Sequence, residues 1–447
     1  MIRRGANREM RFSDGIRSIL ILLPAAVCLG MQSPVPDRFT LDQCISLALR
    51  NNPQLQSSRY NVLESQERIT EAQAGSWPAI SFSAGADRLF RSGEPSGNTP
   101  NPNSSFSAGL SAQYYLFKGY RTVSSISAAR SNFEAESHQY EGNVRDLILQ
   151  VNQGYYRLLQ AVHLVKVAEK SLENARTHLE FAKARSEVGL ATRSDILKAE
   201  VEASNSNLTL IRSRNGRLAL QGSLNILLGQ TADTPLEIVD DLQNLKQKGP
   251  LDFSKLLALA YAHRPELLKM NSQLQAQSAN IRLARSSLLP WVSADANYSF
   301  SGSALSSLNK GWSFGLSLNY PVFSGFSLTS RVAQEKLSFQ AMDKQKIALE
   351  REIGLDVWTG LLALNEAQER IDNSQLFLEN AGENLRLAEG EYREGVGSMI
   401  EVIDAQASLV AAEVSLIEAQ ADFKIALAAL ERALGINPWS RVEGEKK

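Results

Sequence analysis

Two carboxylates three residues apart, Glu401 and Asp404, follow the stretch Gly395-Val396-Gly397-Ser398. On a helix that spacing puts both on one face. Taken alone, such a pair is a solvated couple at a helix N-terminus, favoured by the positive end of the dipole. Repeated around a symmetric pore it would make two stacked acidic rings. Rings of like charge favour cations and resist constriction, because neighbours repel and their pKa values rise. A related stretch, Gly189-Leu190-Ala191-Thr192-Arg193-Ser194, precedes Asp195, and Lys198 stands where the other stretch has Asp404. The rest of the chain offers little chemistry. Gly311-Trp312-Ser313-Phe314-Gly315 has the letters of a nucleophile elbow but lies inside an alternating run with no helix after it. Gly395-Val396-Gly397 lacks the third glycine and the preceding strand of a dinucleotide loop. His138, His163, His178 and His263 are scattered singly without ligand spacing. The sequence therefore predicts no catalytic, metal or cofactor site.

The elements that carry these residues follow from the chain as a whole. Its 447 residues hold 47 Lys+Arg against 48 Asp+Glu, a balance unlike the basic excess of nucleic-acid binders. Two cysteines exclude a disulfide scaffold. At the start, Arg3, Arg4, Arg8, Arg11 and Arg17 precede the apolar run Ile19–Leu23 and Pro24-Ala25-Ala26-Val27-Cys28-Leu29-Gly30. This reads as a signal peptide over 1–30. Cys28 is a candidate lipidation site, although Ala25-Ala26-Val27 is a poor match to the residues that usually precede a lipidated cysteine. No later run reaches the ~18 apolar residues of a membrane helix, so an exported chain is either soluble or crosses the outer membrane as strands.

The chain is written twice. Pro53 and Pro265 are 265 − 53 = 212 apart, as are Pro78 and Pro290. Gly189 and Gly395, then Gly229 and Gly435, are 206 apart, and the register slips only within the loop-like segment Arg91–Ser105. The first repeat covers 31–240, the second 241–437, and a tail 438–447. Each predicts a short helix ending at a proline, a second helix, a β-hairpin (about 79–118 and 291–323), a long helix, a tip turn (188–194 and 395–399) and a return helix. In the hairpins Phe106 and Leu110, and Trp312, Phe314 and Leu316, alternate with Ser, Gly and Asn. One reading is a half-buried sheet on a soluble core. The other is a membrane barrel with its apolar face to lipid and its polar face to a watery lumen. The long helix carries a seam spaced by threes and fours, from Val144 to Ala182 and from Val357 to Ala388, as in coiled coils. About 65 residues of it would reach ~97 Å.

Two hairpins give four strands, which cannot close a barrel, and an open edge in lipid leaves backbone groups unpaired at several kcal/mol each. The strands must be pooled. Two chains would give a filled eight-stranded barrel, three a twelve-stranded one wide enough for water. The fold class expected is thus mainly α with a small β part, internally duplicated. A different outcome is also open, a soluble periplasmic coiled-coil scaffold whose hairpins pack on helices.

The duplicated order of elements, with Val188-Gly189-Leu190-Ala191-Thr192-Arg193-Ser194-Asp195 and Gly395-Val396-Gly397-Ser398-Met399-Ile400-Glu401-Val402-Ile403-Asp404-Ala405, resembles the TolC-type outer membrane efflux protein family over roughly 40–437. The resemblance implies a homotrimer in the outer membrane of a Gram-negative cell, with one twelve-stranded barrel and a helical tunnel in the periplasm. It implies docking of a periplasmic adaptor, and of an inner-membrane pump or ABC exporter, at tips made by Gly189, Leu190, Thr192, Ser194, Gly395, Val396 and Ser398. It places the aperture carboxylates at Glu401, where aspartate is usual, and Asp404. It also implies that Asp195 pairs with Tyr392 and with an arginine whose position holds Gly397 here, leaving Arg393 as a substitute.

Overall fold

A computed structural model describes residues 38–88, 104–243 and 251–436. The expected signal peptide, Cys28, most of the Arg91–Ser105 loop and the tail lie outside the described residues. The first half runs α1 (Leu41–Asn51), α2 (Pro53–Ala74), β1 (Ala79–Arg88), β2 (Ser104–Lys118), α3 (Arg121–Glu187) and α4 (Arg193–Leu227). The second repeats that order as α5 (Phe253–His263), α6 (Pro265–Ser286), β3 (Trp291–Gly302), β4 (Asn309–Asn319), α7 (Ser327–Glu394) and α8 (Met399–Ala433). Prolines open α2 and α6, where a missing N–H costs nothing. α3 has 67 residues and α7 has 68, about 100 Å each.

Both halves use the same joints, at the offsets seen in the sequence. Asn52 donates from Nδ2 to the carbonyl of Leu227 at 3.0 Å, and Arg264 from Nε to that of Ala433 at 3.0 Å. Gly229 and Gly435 follow those carbonyls with φ of 75° and 67°. A Cβ on either would stand 2.5 Å from the Asn51 oxygen or 2.7 Å from the His263 oxygen. Only glycine lets the return helix end against the proline-capped corner.

The halves meet through charge as well as through apolar packing. Arg145 donates to the carbonyl of His263 at 2.7 Å and Arg432 pairs with Asp146 at 2.7 Å, while buried Arg264 ties the second half together by reaching Asp356 at 2.8 Å. The irregular stretch after α4 packs on the first half. Phe39 and Ile238 form a parallel bridge, Leu236 and Leu242 are buried, and the Tyr155 hydroxyl donates to Val239 O at 2.7 Å.

All four strands form one antiparallel sheet in the order β1-β2-β3-β4. The two hairpins are joined edge to edge by β2 and β3. Register sorts the faces cleanly. Phe82, Leu110, Tyr298 and Trp312 share one row, as do Ile80, Ala112, Ala296 and Phe314. The opposite face has rows such as Ser81, Ser111, Asn297 and Ser313. The strands pack on one another and not on the helices, unlike the hairpins of the soluble scaffold.

Candidate functional site: the helical tip

Below the sheet the chain forms two long coils, α3 with α4 and α7 with α8, joined where α3 lies against α8. Their far ends make the tip. Gly189 (φ 77°) and Gly395 (φ 83°) take the left-handed conformation that ends α3 and α7. Leu190 and Val396 are exposed at the turns, and Thr192, Ser194 and Ser398 are exposed beside them. The proposed docking residues thus lie together on the surface of one end.

Each return helix starts with a closed capping box. Ser398 N–H donates to Glu401 Oε2 at 2.6 Å and Glu401 N–H donates back to Ser398 Oγ at 3.4 Å. In the first half, the N–H and hydroxyl of Thr192 donate to Asp195 Oδ2 at 3.0 and 2.8 Å. These donors hold both carboxyls below their usual pKa range, the Thr192 and Ser398 backbone N–H contributing most. The rise expected from ring repulsion is therefore opposed within each chain by a local cap. The sequence held this signal: Ser398-Met399-Ile400-Glu401 and Thr192-Arg193-Ser194-Asp195 have the capping-box spacing. Asp404 is exposed and makes no ion pair among the described residues.

Where the coils touch, the core is thin: Ala182, Ala199, Leu385, Tyr392, Met399, Val402 and Ala405, drawn from all four helices. Tyr392 is buried, and burial and then the charge of Asp195 raise its phenol pKa. Its hydroxyl has no hydrogen-bond partner. Tyr392 instead meets Arg185, a residue the sequence reading passed over. Arg185 Nη1 donates to the carbonyls of Tyr392 at 2.8 Å and Arg393 at 3.1 Å, and its guanidinium carbon lies 5.0 Å from the Tyr392 ring centre. Phe181 adds an edge-to-face contact to the same ring, 5.9 Å between centroids. At Gly397 the turn folds back so tightly that a Cβ would be 3.0 Å from Glu391 Cβ and 3.1 Å from Tyr392 N. An arginine there would require the turn to move. The signal for Arg185 was weak: a basic residue in the last turn of α3, where the 206-residue offset puts Glu391 in the second half.

Further from the tip, His178 of α3 places Nε2 3.7 Å from Glu389 of α7, and that nitrogen is buried with no hydrogen bond. Burial lowers its pKa, against the raising effect of Glu389 and Glu202. No group of three or more metal-ligating side chains occurs among the described residues. Ser313 sits mid-strand opposite Asn297, far from any elbow geometry.

The sheet is the second half of the site. Trp312 is 82% and Phe314 67% exposed, and Leu110, Leu316, Leu318, Ile80 and Phe82 are exposed with them, while Phe106 is partly covered. Burying one such side chain is worth about 1.5–3 kcal/mol. Leaving seven in water would forgo roughly 10–20 kcal/mol, as much as the whole stability of an ordinary domain. A face this apolar calls for an apolar cover.

A strand sheet with one exposed apolar face, mounted on coils about 100 Å long that end in paired turns, has the build of an outer-membrane channel subunit. The chain belongs to the outer membrane efflux protein family, whose model matches residues 44–230 and 256–436, one segment in each half. It is 24% identical over 414 residues to the outer membrane efflux protein BepC of Brucella suis, covering 89% of this chain and 85% of that one. To the cation efflux system protein CusC of Escherichia coli it is 27% identical over 383 residues, covering 82% and 79%. Among solved structures, a crystal structure of CusC matches with a TM-score of 0.78 at 23% identity over 89% of this chain and 92% of that one. The open-state MtrE channel of Neisseria gonorrhoeae matches at 0.75 and 23%, covering 89% of each. The protein is an outer-membrane efflux channel component reaching into the periplasm, and not an enzyme.

Proposed function

We propose that three copies of this chain close into a passive exit duct whose periplasmic tips dock an adaptor protein and, through it, an inner-membrane pump or ABC exporter. The observation that carries the reading is the placement of unpartnered edges. β1 and β4 are the free edges of the sheet. In the coils the order is α4, α3, α8, α7, which leaves α4 and α7 at the sides. α4 exposes Leu197, Val201, Leu208, Ile211 and Leu218 at heptad-like spacing, and α7 exposes Leu337, Leu355, Leu362 and Leu376. One side of the protomer belongs to the first half and the other to the second, so the contact between copies is heterologous and must close into a ring. Three chains of four strands make 3 × 4 = 12, enough for an aqueous lumen lined by the Ser, Gly and Asn rows. Glu401 and Asp404 would then ring the periplasmic aperture, and Gly189, Leu190, Thr192, Ser194, Gly395, Val396 and Ser398 would form the adaptor's seat.

The test is the mass and conductance of the protein extracted from outer membranes. A detergent-stable particle of three protomers that conducts in planar bilayers supports the duct. A non-conducting monomer recovered in the soluble periplasmic fraction sinks it.

A further inference from the structure

The thin core at the tip raises the question of what keeps the coils together. Three of its seven buried residues are alanines, and Leu179, Ile196, Ile403 and Leu409 pack against them only partly covered. Asp195, an obvious polar candidate, already spends its Oδ2 on Thr192, and the Tyr392 hydroxyl is unpaired. Arg185 is different. It comes from the last turn of α3, and both of its bonds end on carbonyls of the last turn of α7, Tyr392 O and Arg393 O. Those carbonyls are among the four that a helix C-terminus leaves without a partner one turn on, although Tyr392 O also accepts the Gly395 N–H at 3.2 Å, and they carry the negative end of its dipole. A guanidinium set there makes charge-assisted bonds and lies over the Tyr392 and Phe181 rings.

We propose that Arg185 is the latch of the tip: it clamps the C-terminus of α7 to α3 through backbone oxygens, so closure depends on no partner carboxylate and no phenol hydroxyl. This rests on the duct reading and adds to it a positioning residue. Opening would withdraw the α7 end from the guanidinium and return Arg185 and the two carbonyls to water. Because the acceptors are backbone atoms, sequence changes at the turn leave the latch intact as long as the helix end keeps its place.

The experiment compares purified wild type with Arg185→Ala, Arg185→Lys, Asp195→Asn and Tyr392→Phe in planar bilayers, and in cells by entry of a bulky hydrophilic antibiotic. Oligomer mass and helix content of each variant are checked first. Arg185→Ala is expected to assemble normally and raise the open fraction roughly tenfold, the scale of losing charge-assisted bonds. Arg185→Lys, which keeps the charge but not the two-point geometry, should fall between it and the wild type. Asp195→Asn and Tyr392→Phe should each open the channel less than Arg185→Ala does. An assembled, conducting Arg185→Ala channel with wild-type openness overturns the latch while leaving the duct in place. So does an Asp195→Asn or Tyr392→Phe channel that opens as far as Arg185→Ala. A wild type that neither assembles nor conducts fails the duct itself.

Discussion

At the scale of single residues, the proposed aperture role of Glu401 falls on a side chain that already has a task. Glu401 stands where an aperture charge would stand, and its carboxylate also closes the box that starts α8. The tasks separate by substitution. Glu401→Gln removes the charge but retains an oxygen for the Ser398 N–H, whereas Glu401→Ala removes both. The alanine variant should show faster amide exchange in the first turn of α8, and the glutamine variant should not. If the aperture is an acidic ring, Glu401→Gln combined with Asp404→Asn should still lower cation preference, read as a shift in reversal potential across a salt gradient. An unchanged potential would end the ring assignment. His178 gives the pH dependence of this region. Burial favours its neutral form, so its folded pKa lies below the ordinary 6.5. Its contribution is therefore complete above pH 6.5 and is lost as pH falls from there through the folded value. Melting temperature should drop over that window in the wild type and less in His178→Gln. The capped carboxyls Asp195 and Glu401, with lowered pKa values, act only at more acidic pH.

At the scale of elements, the corners depend on glycines that no other residue can replace. Gly229→Ala would add a Cβ 2.5 Å from the Asn51 oxygen at a φ of 75°. Overpacking and the left-handed backbone together predict a loss of about 2–4 kcal/mol, measurable as a lower denaturation midpoint. Gly216→Ala, inside α4 with nothing near its Cβ, should instead hold or gain stability. The same elements show what was legible in the sequence. Helix ends, strands and tips could be placed because proline, glycine and the change from period two to period 3.6 are local signals, and two copies at offsets of 212 and 206 checked each other. The joining of β2 to β3 and the packing of Leu236 and Leu242 were hidden, since each depends on segments more than a hundred residues apart or on an irregular run without period. Arg185 was hidden for a related reason. Its acceptors are backbone carbonyls, which leave no trace in residue type, and they lie across the gap between two coils. Capping boxes were readable at Ser398 and Thr192, but the carboxylates drew notice as charges first.

At the scale of the molecule, the protomer is an incomplete object. Its sheet ends in two bare edges, and its outer helices α4 and α7 show leucines to solvent. The proposed ring would remove both faults at once, pairing β4 of one copy with β1 of the next and bringing an α4 seam against α7. In the proposed duct the β edges would be satisfied within lipid, where each unpaired backbone group costs several kcal/mol, while the helical seam would lie in water and gain only by burial. Assembly should accordingly be most sensitive in the helices, where the margin is smaller. Leu208, exposed on α4 in the middle of its seam, provides the test. Leu208→Ala forgoes about 1–2 kcal/mol per interface and should lower the temperature at which the oligomer dissociates without abolishing it. Leu208→Glu would bury an unpaired charge in each of the three seams, at a cost that exceeds the burial it replaces. That variant should keep its helix content by circular dichroism yet run as a monomer in detergent. A stable trimer of Leu208→Glu would mean that α4 faces water in the assembly and that the copies meet along a different side.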